Sequence, residues 1–433
     1  MSARSRLVCV RCEQGGRPGE TACPCGALLE LRPELPDLDG AALRALFEAR
    51  RAARRGPDRS GVWRYRELIA PGLPPAALVT RGEGNTGLYE PRALRAFVGL
   101  SGDYYLKHEG ENPTGSFKDR GMCAGVTAAL AAGARVLACA STGNTSASLA
   151  SYAALAGVPA VVFVPAGKVA TGKLAQTIAY GARVLEVEGS FDLAMQLVEE
   201  AAARFGLGLL NSVNPWRIEG QKAIGLELLD DLGWEVPDWI VLPSGNLGNV
   251  SALGKALREA KDAGLIARLP RIASVQAAGA APFARFFAAR RAGQRPEFAP
   301  EPRPETVATA IRIGDPRSWE KAIREVEALD GVVLAVDDAE LLAAKAAIDA
   351  AGVGCEPASA AAVAGVKRLV QDGVIPPGAR VASILTGHLL KDPETTVAYH
   401  EGALPGVPPP ARPARQLVAA DLDAIGEALA DLL

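Results

Sequence analysis

The sequence predicts an α/β fold in which helices cover both faces of parallel β-sheets. Short apolar runs rich in β-branched residues alternate with longer stretches rich in Ala and Leu along most of the chain. Because parallel strands need a long crossover connection, usually a helix, this alternation is typical of three layers in the order helix, sheet, helix. A length of 433 residues allows two domains, each with its own core.

The individual elements follow from the same pattern. The predicted strands span residues 135–140, 160–164, 182–187, 239–242, 271–276, 332–336 and 381–385. Helices are predicted at 119–132 and 145–156, and a further helix at 40–56 contains five arginines, which favours a position at the surface or at an interface. Residues 293–304 and 402–415 are rich in proline and predict loops, the second ahead of a short terminal helix.

Composition and charge exclude several classes of function. The chain has 47 Lys and Arg against 49 Asp and Glu, a formal net charge of −2, which gives no electrostatic basis for binding nucleic acid or an anionic membrane. No apolar run reaches the roughly 20 residues of a spanning helix, and the first residues lack the apolar core of a signal peptide. We therefore expect a cytoplasmic protein.

Four of the seven cysteines cluster at the N-terminus, at Cys9, Cys12, Cys23 and Cys25. The first pair is C-x-x-C and the second C-x-C, so the segment resembles a small zinc ribbon from which one residue is missing. A structural zinc site and a degenerate remnant that holds no metal both remain open. The other three cysteines lie in apolar contexts and are expected to be buried.

Lys118 is the most informative residue. Its segment is extended over residues 104–107, breaks at Asn112 and Pro113, turns through Gly115 and opens a helix at Lys118. A lysine held at a loop-to-helix junction can bind a carbonyl cofactor such as pyridoxal 5′-phosphate (PLP) through its amine. The alternative, a surface lysine at a helix start, is disfavoured by the motifs that follow in the chain.

Two loops follow predicted strands and open helices. In the run Ser141-Thr142-Gly143-Asn144-Thr145, free backbone N–H groups and the positive helix end suit a carboxylate, although an ordinary N-cap is an alternative. In the run Gly245-Asn246-Leu247-Gly248-Asn249, the glycines permit close backbone approach and successive N–H groups can surround an anion. The second loop is neither a P-loop nor a G-x-G-x-x-G fingerprint.

Two further motifs carry specific chemistry. Thr386 follows the strand at 381–385, and a hydroxyl there can hydrogen-bond a pyridine nitrogen without forcing its protonation. Arg217, with Asn211 and Ser212 nearby in the chain, forms a candidate phosphate clamp, because a guanidinium matches two phosphate oxygens. The alternative is a surface loop with an incidental arginine.

In their order along the chain, these motifs resemble those of the threonine synthases over roughly residues 60–400. Threonine synthases are PLP-dependent enzymes of the tryptophan-synthase-β-like fold. The resemblance implies that Lys118 binds the cofactor and acts as the catalytic base, that Asn144 contacts its 3′-oxygen and Thr386 its pyridine nitrogen. It implies that Gly245, Asn246, Leu247, Gly248 and Asn249 hold the cofactor phosphate.

The resemblance also implies the substrate contacts and the reaction. The substrate carboxylate would be bound by the loop that contains Ser141 and Thr142. The phosphate of O-phospho-L-homoserine would be bound by Asn211, Ser212 and Arg217, with help from Thr145 and Asn246. A homodimer would convert this substrate and water into L-threonine and phosphate, the last step of threonine biosynthesis.

Three alternatives stay open at this point. One is a β-replacement enzyme that uses O-phosphoserine, similar to cysteine or cysteate synthase. Another is a lyase similar to threonine or serine dehydratase, which releases a 2-oxo acid and ammonia. The third is a binding protein without catalysis that keeps the fold.

The resemblance implies an organisation around a cleft that holds the cofactor. The predicted segments are a Cys-rich knuckle at 1–30, an arm and part of the large domain at 31–119, a small domain at 120–215, the large PLP-binding domain at 216–400 and a tail with a helix at 401–433. Two positions depart from the usual family pattern, where Gly87 replaces a proline and Leu389 a glycine. Gly87 is expected to loosen its turn.

Overall fold

The structure, a computed structural model, describes residues 5–17, 19–35, 37–167, 171–404, 407 and 417–430. Its strands are β1 (Ser5–Cys9), β2 (Leu29–Pro33), β3 (Leu88–Tyr89), β4 (Tyr104–His108), β5 (Leu137–Ala140), β6 (Ala160–Pro165), β7 (Arg183–Val187), β8 (Gly208–Leu209), β9 (Trp239–Pro243), β10 (Arg271–Ala277), β11 (Val332–Val336) and β12 (Val381–Leu385).

The helices cover both faces of the sheets. They are α1 (Gly40–Arg51), α2 (Arg66–Ile69), α3 (Arg92–Val98), α4 (Lys118–Ala131), α5 (Asn144–Leu155), α6 (Thr171–Ala179), α7 (Phe191–Phe205), α8 (Pro215–Asp231), α9 (Gly248–Asp262), α10 (Pro282–Arg291), α11 (Trp319–Ala328), α12 (Asp338–Ala350), α13 (Pro357–Gln371), α14 (Pro393–His400) and α15 (Leu422–Leu429). Across the described ranges, no helix combines the length and apolar character needed to cross a membrane.

The strands form two main sheets. The larger has the order β11-β10-β9-β12-β4-β3, and the smaller has the order β7-β6-β5-β8. All neighbours are parallel except β3 and β4, which are antiparallel. The predicted parallel α/β fold is thus confirmed, and each of the seven predicted strands is present within two residues of its predicted ends. The antiparallel edge strand was not predicted, because a two-residue strand leaves no periodic pattern.

The small sheet is built from residues between 137 and 209, within the predicted small domain at 120–215. One continuous apolar core includes residues of both sheets and of α4 and α8. The two helices pack against each other. Gly220 permits this packing, since a Cβ there would lie 2.0 Å from the carbonyl oxygen of Arg120. The division into domains at the predicted boundaries stays a prediction.

The arginine-rich helix is shorter and more buried than predicted. It ends at Arg51 rather than at residue 56, and Leu43, Phe47 and Arg50 lie in the interior. Arg50 donates two hydrogen bonds of 2.6 Å to the carboxylate of Glu67, so this cation is neutralised inside the protein. The predicted surface or interface position is therefore wrong for Arg50, whereas Arg44, Arg51, Arg54 and Arg55 are exposed.

A buried ion-pair cluster joins the large sheet to α4 and α8. Arg120 in α4 lies 2.6 Å from Glu109, which follows β4, and 2.7 Å from Glu227 in α8. Lys107 in β4 lies 2.8 Å from the same Glu227 oxygen, and the backbone N–H of Asn85 donates to Glu227 at 2.8 Å. Although burial opposes ionisation, Arg120 and Lys107 hold the pKa of Glu227 well below its usual range.

The N-terminal knuckle is a hairpin of β1 and β2 with the predicted cysteines around it. Its apolar residues pack against Trp216, at the second position of α8. Arg324 pairs with Glu30 at 2.7 Å, and Lys321 donates to the carbonyl of Leu29 at 2.7 Å, both from α11. The knuckle is therefore fixed to the same part of the protein that carries Arg217.

Candidate active site

Lys118 and Thr386 are brought together by a short backbone bridge. Ser116 and Gly387 form an isolated antiparallel bridge, the Phe117 N–H donates to the Thr386 carbonyl at 3.0 Å, and the His388 N–H donates to Gly115 at 2.9 Å. Lys118 is the first residue of α4, and Thr386 directly follows β12. The structure thus places two residues that are 268 positions apart in sequence at one site, as the resemblance predicts.

Asp119 fixes the loop that presents Lys118. Its carboxylate accepts hydrogen bonds from the Thr114 N–H at 2.7 Å, the Thr114 hydroxyl at 2.6 Å and the Ser148 hydroxyl of α5 at 2.6 Å. Burial raises the pKa of Asp119 to about 6, although these hydrogen bonds oppose the shift. Sequence reasoning missed this role; the available signal was an acidic residue in the first turn directly after the lysine.

The Lys118 amine is unusually acidic. Burial and then the positive charge of Arg217 lower its pKa to about 7, while Glu356 opposes the shift. The amine lies 4.0 Å from the centroid of the Phe117 ring. A lowered pKa increases the neutral fraction of the amine near pH 7, and only the neutral amine is a nucleophile or a base.

Glu356 joins the residues predicted to contact the cofactor. It is 4% exposed, and its two oxygens accept from the Asn144 amide at 3.0 Å and from the Thr386 hydroxyl at 3.3 Å. Glu356 is the N-cap residue of α13, but its side chain does not cap that helix. Burial raises the pKa of this carboxyl. No local sequence pattern indicates a role for Glu356, because its partners are distant in the chain.

Two helices begin at the site without a side-chain cap. Their N-cap residues are Gly143 for α5 and Leu247 for α9, whereas the first N–H of α4 donates to the Ser116 hydroxyl at 3.4 Å. Ordinary capping was the alternative for the loop at 141–145, and it is wrong, because Ser141 accepts instead from the Gly143 N–H at 3.2 Å. Uncapped helix N-termini bind anions through free N–H groups and the helix dipole.

The side chains along the loop at 141–145 are placed to face a ligand. Those of Ser141, Thr142, Asn144 and Thr145 are all half-buried, and a Cβ added at Gly143 would have no atom within 4 Å. The Asn144 amide is held by Glu356, as described above. The loop is therefore open on one side, as a ligand site requires.

The glycine-rich loop at 245–249 follows β9 and opens α9, as predicted, and its last two residues are the first two of that helix. Leu247 adopts the left-handed conformation with φ of 64°, which turns the chain into α9. Asn246 accepts from the Arg317 N–H and donates to the Ser212 hydroxyl, both at 2.7 Å. The side chain of Asn249 is buried and neither polar atom has a hydrogen-bond partner. The loop thus has unsatisfied polar groups. Asn246 connects it to the clamp segment, which we define as residues 211–217.

Arg217 is completely buried in α8, so the alternative of an incidental surface arginine is wrong. Its Nη1 donates to the Leu210 carbonyl at 3.1 Å, whereas Nε and Nη2 have no hydrogen-bond partner. Burial lowers the pKa of Arg217 to about 10. A buried guanidinium with unused donors requires an anion, and phosphate matches its geometry.

Asn211 makes hydrogen bonds to other parts of the protein through both polar atoms of its side chain. Its side-chain oxygen accepts from the Ala140 N–H at 2.9 Å, and its amide nitrogen donates to Met195 at 3.1 Å. It therefore fixes the clamp segment to the end of β5. Asn214, which the sequence did not single out, caps α8 by accepting from the N–H groups of Trp216 and Arg217.

The departure at Gly87 has a physical reason. The Gly87 N–H donates to Glu111 at 2.5 Å, and a Cβ at this position would lie 2.5 Å from the Tyr89 ring. A proline lacks this N–H and could not make the bond. The expected loosening of the turn is thus offset by a hydrogen bond that only a residue other than proline can form.

Comparisons with known proteins agree with this site. Residues 79–387 match the family described as pyridoxal-phosphate dependent enzymes. The matched range includes Lys118, both loops and Thr386. The chain is 48% identical over 369 residues to the threonine synthase of Methanosarcina acetivorans, covering 85% of this chain and 86% of that protein. It is 42% identical over 396 residues to the threonine synthase of Methanocaldococcus jannaschii, covering 91% and 94%.

The class defined by the fold and the site is thus that of the PLP-dependent enzymes. Within that class, the chain belongs to the threonine synthase family. A solved threonine synthase from Escherichia coli shares the fold, with a TM-score of 0.67 and 19% identity, over 99% of this chain and 100% of that one.

The residues present fit PLP. Lys118 supplies the amine, Asn144 and Thr386 supply an amide and a hydroxyl beside it, and the uncapped start of α9 supplies N–H groups for a phosphate. The unsatisfied polar atoms of Asn249 lie on that same helix start. The donor set therefore agrees with the cofactor that defines the family.

The pH dependence of cofactor attachment tests the environment of Lys118. For apoprotein mixed with PLP, we expect the rate of covalent attachment to rise with pH through a midpoint near 7, because the neutral amine is the nucleophile. Arg217→Gln should move the midpoint to higher pH, since it removes a nearby positive charge, whereas Arg204→Gln at the surface should not. Cofactor absorbance reports the rate, and a midpoint near the ordinary lysine value of about 10.4 would contradict the assignment.

Proposed function

We propose that the protein converts O-phospho-L-homoserine and water into L-threonine and phosphate at the site around Lys118. The observation that carries this proposal is Arg217, a fully buried guanidinium with two unused donors that lowers the pKa of the neighbouring Lys118 amine. A lysine of this kind suits PLP chemistry, and the guanidinium adds a place for a substrate phosphate. The names of the relatives support the same reaction.

Bound PLP supplies an electron sink for the negative charge that develops at the substrate Cα. Lys118 would hold the cofactor through its amine before the substrate binds. Its freed amine then removes the Cα proton and returns protons to the carbon skeleton, a task for which a pKa of about 7 is well matched. Asn144 and Thr386 orient the ring, and the N-terminus of α5 with Ser141 and Thr142 binds the substrate carboxylate.

The substrate phosphate is bound between the segment at 211–217 and the loop at 245–249. Ser212 and Asn246 are already linked at 2.7 Å, so both can turn toward one phosphate. Thr145 adds a hydroxyl, and Asn211 holds the segment to β5. Because Arg217 is fully buried, its guanidinium must turn toward the cleft, or the cleft must open, before the phosphate binds. Closure around the bound phosphate then excludes bulk water until the reacting water molecule is admitted.

The reaction is tested by giving PLP-loaded protein O-phospho-L-homoserine and measuring phosphate and threonine together. We expect equal release of both, and Lys118→Ala should reduce the rate by at least about 1,000-fold, because it removes both the cofactor attachment and the base. Lys261→Ala, an exposed lysine in α9, is the matched control and should retain the rate.

The same assay separates the alternatives. Phosphate release with a 2-oxo acid and ammonia would identify a dehydratase-like lyase. Turnover of O-phosphoserine with a sulfur nucleophile, and none of O-phospho-L-homoserine, would identify a β-replacement enzyme. Bound PLP without turnover of any of these amino acids would identify a binding protein.

The phosphate clamp is tested by Arg217→Ala. We expect the affinity for O-phospho-L-homoserine to fall about 10- to 100-fold, because hydrogen bonds to a charged group each contribute about 1.5–3 kcal/mol. Arg204→Ala removes the same charge from the exposed face of α7 and serves as the control. Spectral titration of the bound cofactor measures the affinity, and an unchanged value in Arg217→Ala would exclude the clamp.

We also propose that Cys9, Cys12, Cys23 and Cys25 hold a structural zinc ion. Their sulfur atoms all lie within 4.8 Å of one another, and the closest pairs are 3.5 and 3.6 Å apart. Tetrahedral zinc with Zn–S bonds of about 2.3 Å requires S···S distances of about 3.8 Å. Although burial opposes the shift, N–H bonds from Cys12 and Arg11 lower the pKa of Cys9, whereas the pKa values of Cys12 and Cys23 are raised, so the proposal rests on the sulfur positions and not on the titration of the thiols.

Zinc content tests this site directly. We expect about one zinc ion per chain by mass spectrometry of the purified protein, and its loss in Cys12→Ser and Cys25→Ser, because structural sites need all their ligands. Cys139→Ala removes a buried thiol elsewhere and should keep the metal. Full-length protein without bound zinc, after purification with zinc in the buffer, would refute the proposal.

We further propose, from the family resemblance, that the protein acts in the cytoplasm as a homodimer. A monomeric mass in analytical ultracentrifugation would contradict the dimer.

A further inference from the structure

The Ser359 hydroxyl contacts three polar groups of the loop after β12, which are the N–H and hydroxyl of Thr386 and the N–H of Gly387. Ser359 is the third residue of α13 and 0% exposed. Its hydroxyl oxygen accepts from the N–H of Thr386 at 2.8 Å and from the N–H of Gly387 at 3.0 Å. The same oxygen lies 3.0 Å from the hydroxyl oxygen of Thr386. Ser359 is thus the main partner of the loop that follows β12.

The hydrogens and lone pairs of Ser359 determine which residue donates in the contact between the Ser359 and Thr386 hydroxyls. A serine hydroxyl has one hydrogen and two lone pairs, and two backbone N–H groups occupy both lone pairs of Ser359. The Ser359 oxygen therefore cannot accept a third hydrogen bond from Thr386. Ser359 must donate its own hydrogen, and Thr386 accepts it.

The hydrogen of Thr386 is left for another partner. The protein acceptor within reach is Glu356, whose oxygen lies 3.3 Å away. Ordinary O–H···O bonds are about 2.5–3.0 Å long, so this contact is weak. A ligand acceptor that comes closer to Thr386 will take the hydrogen in its place.

We propose that Ser359 is a positioning residue that makes Thr386 a hydrogen-bond donor to the pyridine nitrogen of PLP and so favours the unprotonated ring. This inference rests on the proposed contact between Thr386 and the cofactor. Ser359 donates to one lone pair of the Thr386 oxygen, which leaves one lone pair and one hydrogen. Thr386 can accept from the N–H of a protonated ring only if it gives this hydrogen to Glu356. The weak 3.3 Å contact disfavours that arrangement.

The consequence concerns the strength of the cofactor as an electron sink. An unprotonated pyridine nitrogen withdraws fewer electrons than a protonated one, and hydrogen bonds to one form of a group shift its pKa toward that form. Glu356 would favour the protonated ring. If its carboxylate accepts the hydrogen of Thr386, the Thr386 oxygen is free to accept from the ring N–H. Donation by Ser359 polarises the Thr386 O–H and strengthens it as a donor to the ring, so Ser359 and Glu356 favour opposite directions of one hydrogen bond.

The test uses holoenzyme loaded with PLP that carries ¹⁵N in the ring, observed by NMR across a pH series. In the wild-type protein the nitrogen should be unprotonated at neutral pH. In Ser359→Ala the pH at which it takes up a proton should rise by about one unit, the shift that a single hydrogen bond supports. Ser359→Thr keeps the hydroxyl and should restore the wild-type midpoint, and Ser151→Ala, which removes another buried hydroxyl, should leave it unchanged.

Each outcome bears on the inference separately from the proposed function. A protonated nitrogen in the wild-type protein overturns the inference even if Ser359→Ala does not fold. The same midpoint in Ser359→Ala and the wild-type protein also overturns it. Release of threonine and phosphate by the wild-type protein is measured without the label, so the inference can fail while the proposed reaction stands.

Discussion

The buried ion pairs of Arg120 are the constraint on which the geometry of the site depends. Arg120 lies two residues after Lys118 in α4, Glu109 follows β4, and Glu227 belongs to the helix that begins beside Arg217. Removal of one partner from a buried pair leaves an uncompensated charge, which typically costs about 3–5 kcal/mol. The distances from the sheet to the lysine and to the clamp are therefore fixed together, before any ligand is present.

The site combines this fixed frame with groups that the protein leaves unsatisfied. Arg217 has unused donors, the side chain of Asn249 has no hydrogen-bond partner, and the N-termini of α5 and α9 lack side-chain caps. Each such feature destabilises a folded protein, because buried polar groups normally find partners. Their concentration around Lys118 has a common physical explanation, since anionic groups of a cofactor and a substrate would satisfy them on binding.

Much of this arrangement could be predicted from the sequence, because its signals are local. The alternation of strands and helices predicts parallel sheets, and Lys118 and Thr386 stand directly at the ends of their elements. Residues that act through distant partners gave no such signal. Glu356 contacts Asn144 across 212 positions of sequence, and the antiparallel strand β3 depends on pairing with β4 rather than on its own two residues. Such contacts arise from tertiary packing and leave no periodic pattern.

The knuckle is connected to the clamp through one helix. The apolar side of the β1–β2 hairpin packs on Trp216, and Arg217 is the next residue of α8. Asn214 caps this helix by accepting from the N–H groups of both residues, so the direction of the first turn depends on its cap and on the surface that Trp216 meets. A metal ion that orders the hairpin would therefore also stabilise the turn from which the Arg217 side chain emerges. If the proposed zinc and clamp sites hold, the cysteines would act on substrate binding through packing, without taking part in the chemistry.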